Sequence, residues 1–215
     1  MDTLVFRPPG APSGSWPPAP WHVSALYDPY ERINVWSHFI PGLFFLLYPW
    51  LGSPPFPSID MFCYAAAFSH MSSAICHVYP DNYVLHKMDH FAIVVLIVAT
   101  LSSSIYTYAP VSKSMAPMFA GTVALFVSAS LERTPRTIGF VIITAYILYN
   151  YRHQVFNKYM LAQACIYLLG AYLFVRNQGH DRAILTDHHI FHNLVTIACG
   201  VQFYNLASAS TSTST

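Results

Sequence analysis

Asp187-His188-His189-Ile190-Phe191-His192 leads directly into the apolar stretch Leu194–Leu206. An apolar run that opens on polar residues reads as a membrane helix whose mouth lies at the level of the lipid headgroups. His188 and His192 are i, i+4 and stack on one helical face about one turn apart. His189 and His192 are i, i+3 and share a face as well. Either pair can grip a single metal ion, as helical His-x3-His pairs do in zinc enzymes, and spacing leaves both pairs open. The plainer alternative is that these side chains only cap the helix at the membrane surface. A further ligand at the same depth would separate the two readings.

Six more apolar stretches precede this one: Phe39–Leu51, Ile59–Val78, Phe91–Tyr108, Ala116–Leu131, Ile138–Tyr149 and Tyr159–Val175. Of the 215 residues, 54% are hydrophobic and only 9% charged, against roughly 25% charged in soluble domains. Mean hydropathy is +0.40. The chain is therefore expected to be an integral, multi-pass membrane protein of a plasma membrane or endomembrane. A net charge of +1 gives no attraction to nucleic acid. Cys63, Cys76, Cys165 and Cys199 lie in or beside the apolar runs without a C-x-x-C spacing and read as small buried hydrophobes.

A perpendicular span needs about 20 residues, and several runs are shorter, the fifth especially. Polar flanks must complete them: Asn34–His38 before the first, Thr186–His192 before the last. The fold expected is an all-α bundle of seven transmembrane helices over residues 31–207. A Pro-rich tail (1–30) precedes it and a Ser/Thr-rich tail (208–215) follows, both expected to be disordered. Ser53-Pro54-Pro55, Ala109-Pro110, Thr134-Pro135 and Asn177-Gln178-Gly179 mark the divisions. With seven spans, Arg7, Arg32, Lys87, Arg133, Arg136, Arg176 and Arg182 share the side of the N-terminus. Lys113, Arg152 and Lys158 fall on the other. The bias predicts a cytosolic N-terminus and an outside or lumenal C-terminus.

Span parity alone then collects polar residues at one depth. Glu31, Asn34, Ser37 and His38 open the first span; Ser73 and His77 close the second; Asp89 and His90 open the third; His188, His189 and His192 open the seventh. Ser73 and His77 are again i, i+4. His77 with His188 and His192 would make a three-histidine site, the catalytic zinc arrangement with its fourth position open. Such a metal lowers the pKa of bound water to about 7 and makes hydroxide available. Asp89 is placed to hold that water or take its proton, and Ser73 to hydrogen-bond the water or an oxyanion. Each has a local alternative: an interfacial histidine bonded to a carbonyl, a helix-capping carboxylate, a serine bonded back to its own helix. Those alternatives do not explain the shared depth. His22, His70, His86, His153 and His180 show no comparable pairing.

Three motifs in order, Glu31-x-x-Asn34-x-Trp36-Ser37-His38, then Ser73-x3-His77 with Asp89, then His188-x3-His192, resemble the progestin and adiponectin receptor family, also called the haemolysin III family. That family shares a superfamily with the alkaline ceramidases. The resemblance runs from Glu31 to His192, nearly the whole membrane part. It implies a seven-helix bundle with zinc near the cytosolic face, with His77, His188 and His192 as ligands. Asp89 falls on the water-binding position and Ser73 on the motif serine. It also selects His188 over His189. The functions it implies are ceramidase-like hydrolysis of a membrane lipid amide, or a receptor or zinc- and lipid-homeostasis role in which the zinc is structural. The partner would be ceramide, a related amide lipid or a sterol-like ligand. Short loops on the outer side leave little surface for a protein hormone.

Overall fold

Asp28 sets where the first long helix begins. Its Oδ1 accepts the backbone N–H groups of Tyr30 and Glu31, the N-cap arrangement, with Pro29 as the first helical residue. In the computed structural model, which describes residues 20–51, 56–109, 114–176 and 186–212, the described residues form helices and connecting turns, with no strand among them. A π-helical turn, Val23–Tyr27, precedes seven α-helices: α1 (Pro29–Leu51), α2 (Pro57–Val78), α3 (Tyr83–Tyr108), α4 (Ala116–Ala129), α5 (Arg133–Val155), α6 (Lys158–Arg176) and α7 (Asp187–Ser212). Asn82 caps α3 through Val84 and Leu85, and Asn157 caps α6 through Tyr159 and Met160.

These limits differ from the apolar runs at informative places. The run Ile138–Tyr149 is the middle of α5, which is 23 residues long. Thr134-Pro135, read as a break, lies in the first turn of α5, where proline lacks only an N–H that has no helical acceptor. Residues 20–30, expected in a disordered tail, instead fold against the bundle. Val23, Ser24 and Ala25 are buried, and Trp36 Nε1–H donates to the Ala25 carbonyl at 2.9 Å. α7 continues through Ser212, past the expected end at residue 207. The rest of the two tails, residues 1–19 and 213–215, lies outside the described residues, as do Pro54-Pro55 and Asn177-Gln178-Gly179.

Polarity is inverted relative to a soluble bundle. Leu43, Phe44, Leu47 and Trp50 of α1, Phe119 and Val127 of α4, and Leu161, Leu168 and Leu169 of α6 face outward. Asn34, His38, Ser69, His70, Ser103, Gln163, Gln202 and Asn205 are buried. Large apolar side chains outside and amides and imidazoles inside are what a lipid solvent selects. By length and composition, α3 and α6 are each long and apolar enough to cross a membrane. α1 contains Pro41 and Pro49, and α2 and α7 carry much of the buried polar set, which lowers their mean hydropathy.

Consecutive helices pack as neighbours, and α7 returns against α1, α2, α3 and α6. One apolar cluster joins Phe45, Ile59, Phe62, Ala66, Leu96, Cys199 and Leu206 across α1, α2, α3 and α7. A second joins Val94, Leu101, Met118, Leu125, Ile147 and Tyr151 across α3, α4 and α5. α3 belongs to both, and the space between the clusters is left for a cavity. α4 meets α5 at Gly121, where an added Cβ would collide with the Ile147 side chain. Gly121→Val is expected to destabilise the bundle by about 1–3 kcal/mol. A Cβ on Gly200 would meet nothing within 4 Å, so Gly200→Ala should leave stability unchanged or raise it by up to about 1 kcal/mol. Thermal melts of both variants in the same detergent check the contrast.

Candidate metal centre

The last turn of α2 and the first turns of α1, α3, α5 and α7 meet at one pole of the bundle. His77 is fixed there by Glu31 of α1: His77 Nδ1–H donates to Glu31 Oε2 at 2.9 Å. Glu31 is 4% exposed. A carboxylate on Nδ1 holds the proton there and turns the Nε2 lone pair outward, the way metal-ligating histidines are oriented. His188 Nε2 stands 3.4 Å from His77 Nε2. Ring centroids are 4.2 Å apart for His188–His192 and 5.0 Å for His77–His192. One ring nitrogen from each of His77, His188 and His192 lies within 4.8 Å of the others.

These residues fit a metal ion. An ion 2.0–2.1 Å from both His77 Nε2 and His188 Nε2 would subtend an angle of about 110°, close to tetrahedral. Two imidazole lone pairs facing each other at 3.4 Å repel unless a proton or cation lies between them. Three neutral nitrogens leave a tetrahedral ion one further position. The ligand set excludes no divalent ion that favours imidazole.

The choice between His188 and His189 has a physical answer. His189 is fully buried, and both of its ring nitrogens are taken. Nε2–H donates to the Tyr30 carbonyl at 3.1 Å, and Nδ1 accepts the Thr186 N–H at 3.1 Å. His189 therefore ties α7 to the start of α1 and has no nitrogen left for a metal. Asp187 is also spent elsewhere, in an exposed ion pair with Arg176 at 2.6 Å.

Asp89 and Ser73 lie beside the cluster without joining it. Ser73 is buried in α2 and engages the Asp89 carboxyl across the α2–α3 contact, with His77, His86 and Arg136 in the surrounding field. Several partners had no counterpart in the sequence reading. His70, which shows no pairing in sequence, meets His38 with their Nδ1 atoms 2.7 Å apart, and the His38 ring lies 4.1 Å from that of His192. His86 bridges Cys76 Sγ at 3.2 Å and the Pro80 carbonyl at 2.7 Å, clamping the tight α2–α3 turn between His77 and Asp89. Arg136 is 7% exposed and contacts His90 Nδ1 and the Leu131 carbonyl, each at 3.2 Å. Glu31-x-x-Asn34-x3-His38 has the spacing of one helical face, and that signal could have marked α1 as a wall of the site. His180 lies outside the described residues.

An all-helical bundle, apolar outside and polar within, with three convergent histidines at one pole, defines the class: a helical membrane protein with a candidate metal centre. The chain belongs to the haemolysin-III related family, whose model matches residues 28–203 and so takes in Glu31, His77, Asp89, His188 and His192. No curated protein matches the chain.

Removing a ligand should empty the centre. Purified wild-type protein is expected to carry about one transition-metal ion per chain, and His77→Ala and His192→Ala only traces. Elemental analysis of the three samples checks this, and full occupancy in both variants would rule out the cluster as the site.

Proposed function

We propose that this protein is a seven-span membrane enzyme that uses zinc at His77, His188 and His192 to hydrolyse the amide bond of a membrane lipid, ceramide or a close relative. The observation that carries this reading is that two residues in the wall of an apolar cavity, Phe174 and Phe191, hold their rings 6.3 and 5.7 Å from those of His188 and His192. The cavity has a volume of about 270 Å³ and lies among α3, α5, α6 and α7, with Leu96, Phe140, Leu148, Tyr167 and Phe191 in its walls. Ser69 and Phe191 also line it. Ser69 is one turn before Ser73 on α2, and Phe191 is next to His192. Its lining on α3 runs from His90 to Leu101, ~16 Å of helix rise, which suits an acyl chain. Arg136 and His90 stand at the polar end, where a headgroup or the carboxylate of a released fatty acid would lie.

Zinc bound here would supply Lewis-acid polarisation of a carbonyl and activation of water. The chain's own residues would do the rest. Glu31 keeps the His77 proton on Nδ1 so that Nε2 points to the centre. Asp89, placed beside the ligands and not among them, holds the attacking water and accepts its proton. Ser73, whose one hydroxyl hydrogen goes to the Asp89 carboxylate, orients that base. The cavity holds the acyl chain and keeps bulk water away from it. The Lys/Arg distribution supports a histidine pole at the cytosolic face, with the C-terminus outside or lumenal.

A second reading has its own support. Glu31, His77, His188 and His192 link α1, α2 and α7 through one cluster, so a metal there could act as a structural clamp in a receptor or homeostasis protein, with a sterol-like ligand in the cavity. Fatty acid release from ceramides by the zinc-loaded protein separates the two. Asp89→Ala should lower turnover by roughly 10²–10⁴-fold while keeping its metal. Turnover unchanged in Asp89→Ala would eliminate this mechanism. A wild type without turnover, together with a His188→Ala variant that merely melts earlier, would favour the clamp.

A further inference from the structure

Two buried side chains at the metal centre lack hydrogen-bond partners of complementary kind. Asn34 of α1 is 0% exposed, and neither its Oδ1 nor its Nδ2 has a partner. His192 of α7 is 2% exposed, and its Nδ1 has none. In a lipid-solvated bundle no bulk water relieves such groups. Orphans of this kind mark a function, a bound ion or an ordered water.

Their placement relates them. Glu31, Asn34 and His38 are i, i+3 and i+7, one face of α1. Glu31 bonds His77, and the His38 ring lies 4.1 Å from that of His192. Asn34 sits between those two contacts, on the face of α1 that carries Glu31 and His38. His77 and His188 direct Nε2 to the centre. A His192 that does the same carries its proton on Nδ1 and needs an acceptor for it. The nearest ring does not serve here: His38 Nδ1 is bonded to His70 Nδ1 at 2.7 Å, and His192 Nδ1 has no partner. Asn34 Oδ1 is a buried acceptor with nothing to accept.

We infer that Asn34 is a positioning residue for the metal centre: its Oδ1 takes the His192 Nδ1–H when the metal is held, as Glu31 takes that of His77. The assignment calls for an Asn34 side-chain rotation that brings its Oδ1 to His192 Nδ1. α1 would then set the orientation of two of the three ligands, one on α2 and one on α7, through residues one turn apart. The inference rests on the metal-centre reading and is independent of hydrolysis.

The test is metal affinity of the full-length protein in detergent, measured by chelator competition with Zn²⁺ and by the absorption spectrum of the Co²⁺ form. Asn34→Leu, similar in shape but without an acceptor, should bind roughly 10–100-fold more weakly. Its metal-free form should melt no earlier than wild type, because the orphaned amide is gone. Asn34→Asp retains an acceptor oxygen in either protonation state and should bind within about threefold of wild type, with a similar Co²⁺ spectrum. The assignment is overturned by Asn34→Leu binding within that same margin or by Asn34→Asp failing as Leu does. It is equally overturned if the affinity loss comes with an earlier metal-free melt, the mark of packing damage. A wild type that takes up no metal overturns the centre and the assignment together. A metal-binding wild type without turnover removes only the hydrolase reading.

Discussion

Polar groups inside this bundle have no bulk water to turn to, and that constraint organises the molecule. Each imidazole, amide and hydroxyl that faces inward must be answered by another side chain, a carbonyl or a bound group. Most are answered in ways that tie distant segments together. His38 meets His70 across α1 and α2, and His189 meets Tyr30 across α7 and α1. Gln202 of α7 donates toward Thr100, Ser103 and Ser104 of α3, and Tyr108 donates to Asn205. The interior is thus held by specific hydrogen bonds as much as by apolar contact. The outer face, rich in Leu, Phe and Trp, has only to match lipid.

The same constraint explains what could be read in the sequence. The apolar stretches located every helix, because each helix presents an apolar face to lipid. They underestimated α1 and α5, whose first turns are polar: Glu31, Asn34 and His38 in one, Arg133 and Arg136 in the other. Helical spacing paired His188 with His192 and Ser73 with His77, and span parity brought these pairs to one depth. Spacing could not choose between His188 and His189. That choice depends on the Thr186 N–H and the Tyr30 carbonyl, the second of them 159 positions away. His70 looked unpaired for the same reason, since its partner lies 32 positions away on another helix, while His86 meets Cys76 and Pro80, 10 and 6 positions away, only through the turn between α2 and α3. Glu31 and Asn34 were visible as polar residues at a helix mouth, but the contact of Glu31 with His77, 46 positions away, is tertiary and leaves no local trace.

α7 joins the site to the space a lipid would fill. His188 and His192 turn toward His77, while Phe191 and Val195 line the cavity, so adjacent residues of one helix serve the ligand cluster and the apolar chamber. The second wall is α2, where His77 and Ser73 belong to the site and Ser69, one turn on, belongs to the cavity. A structural clamp needs only the first set of contacts, whereas a protein that acts on or binds a lipid uses the second. Arg136, 7% exposed, lines the same chamber, held by a histidine nitrogen and a carbonyl and within the field of Asp89 and Glu132. A metal held at the three histidines, with an apolar chamber of acyl length beyond Phe174 and Phe191, would set a lipid's polar linkage near the ion and its chain among α3, α5 and α6. The proposed chemistry on a lipid makes use of both features of the fold.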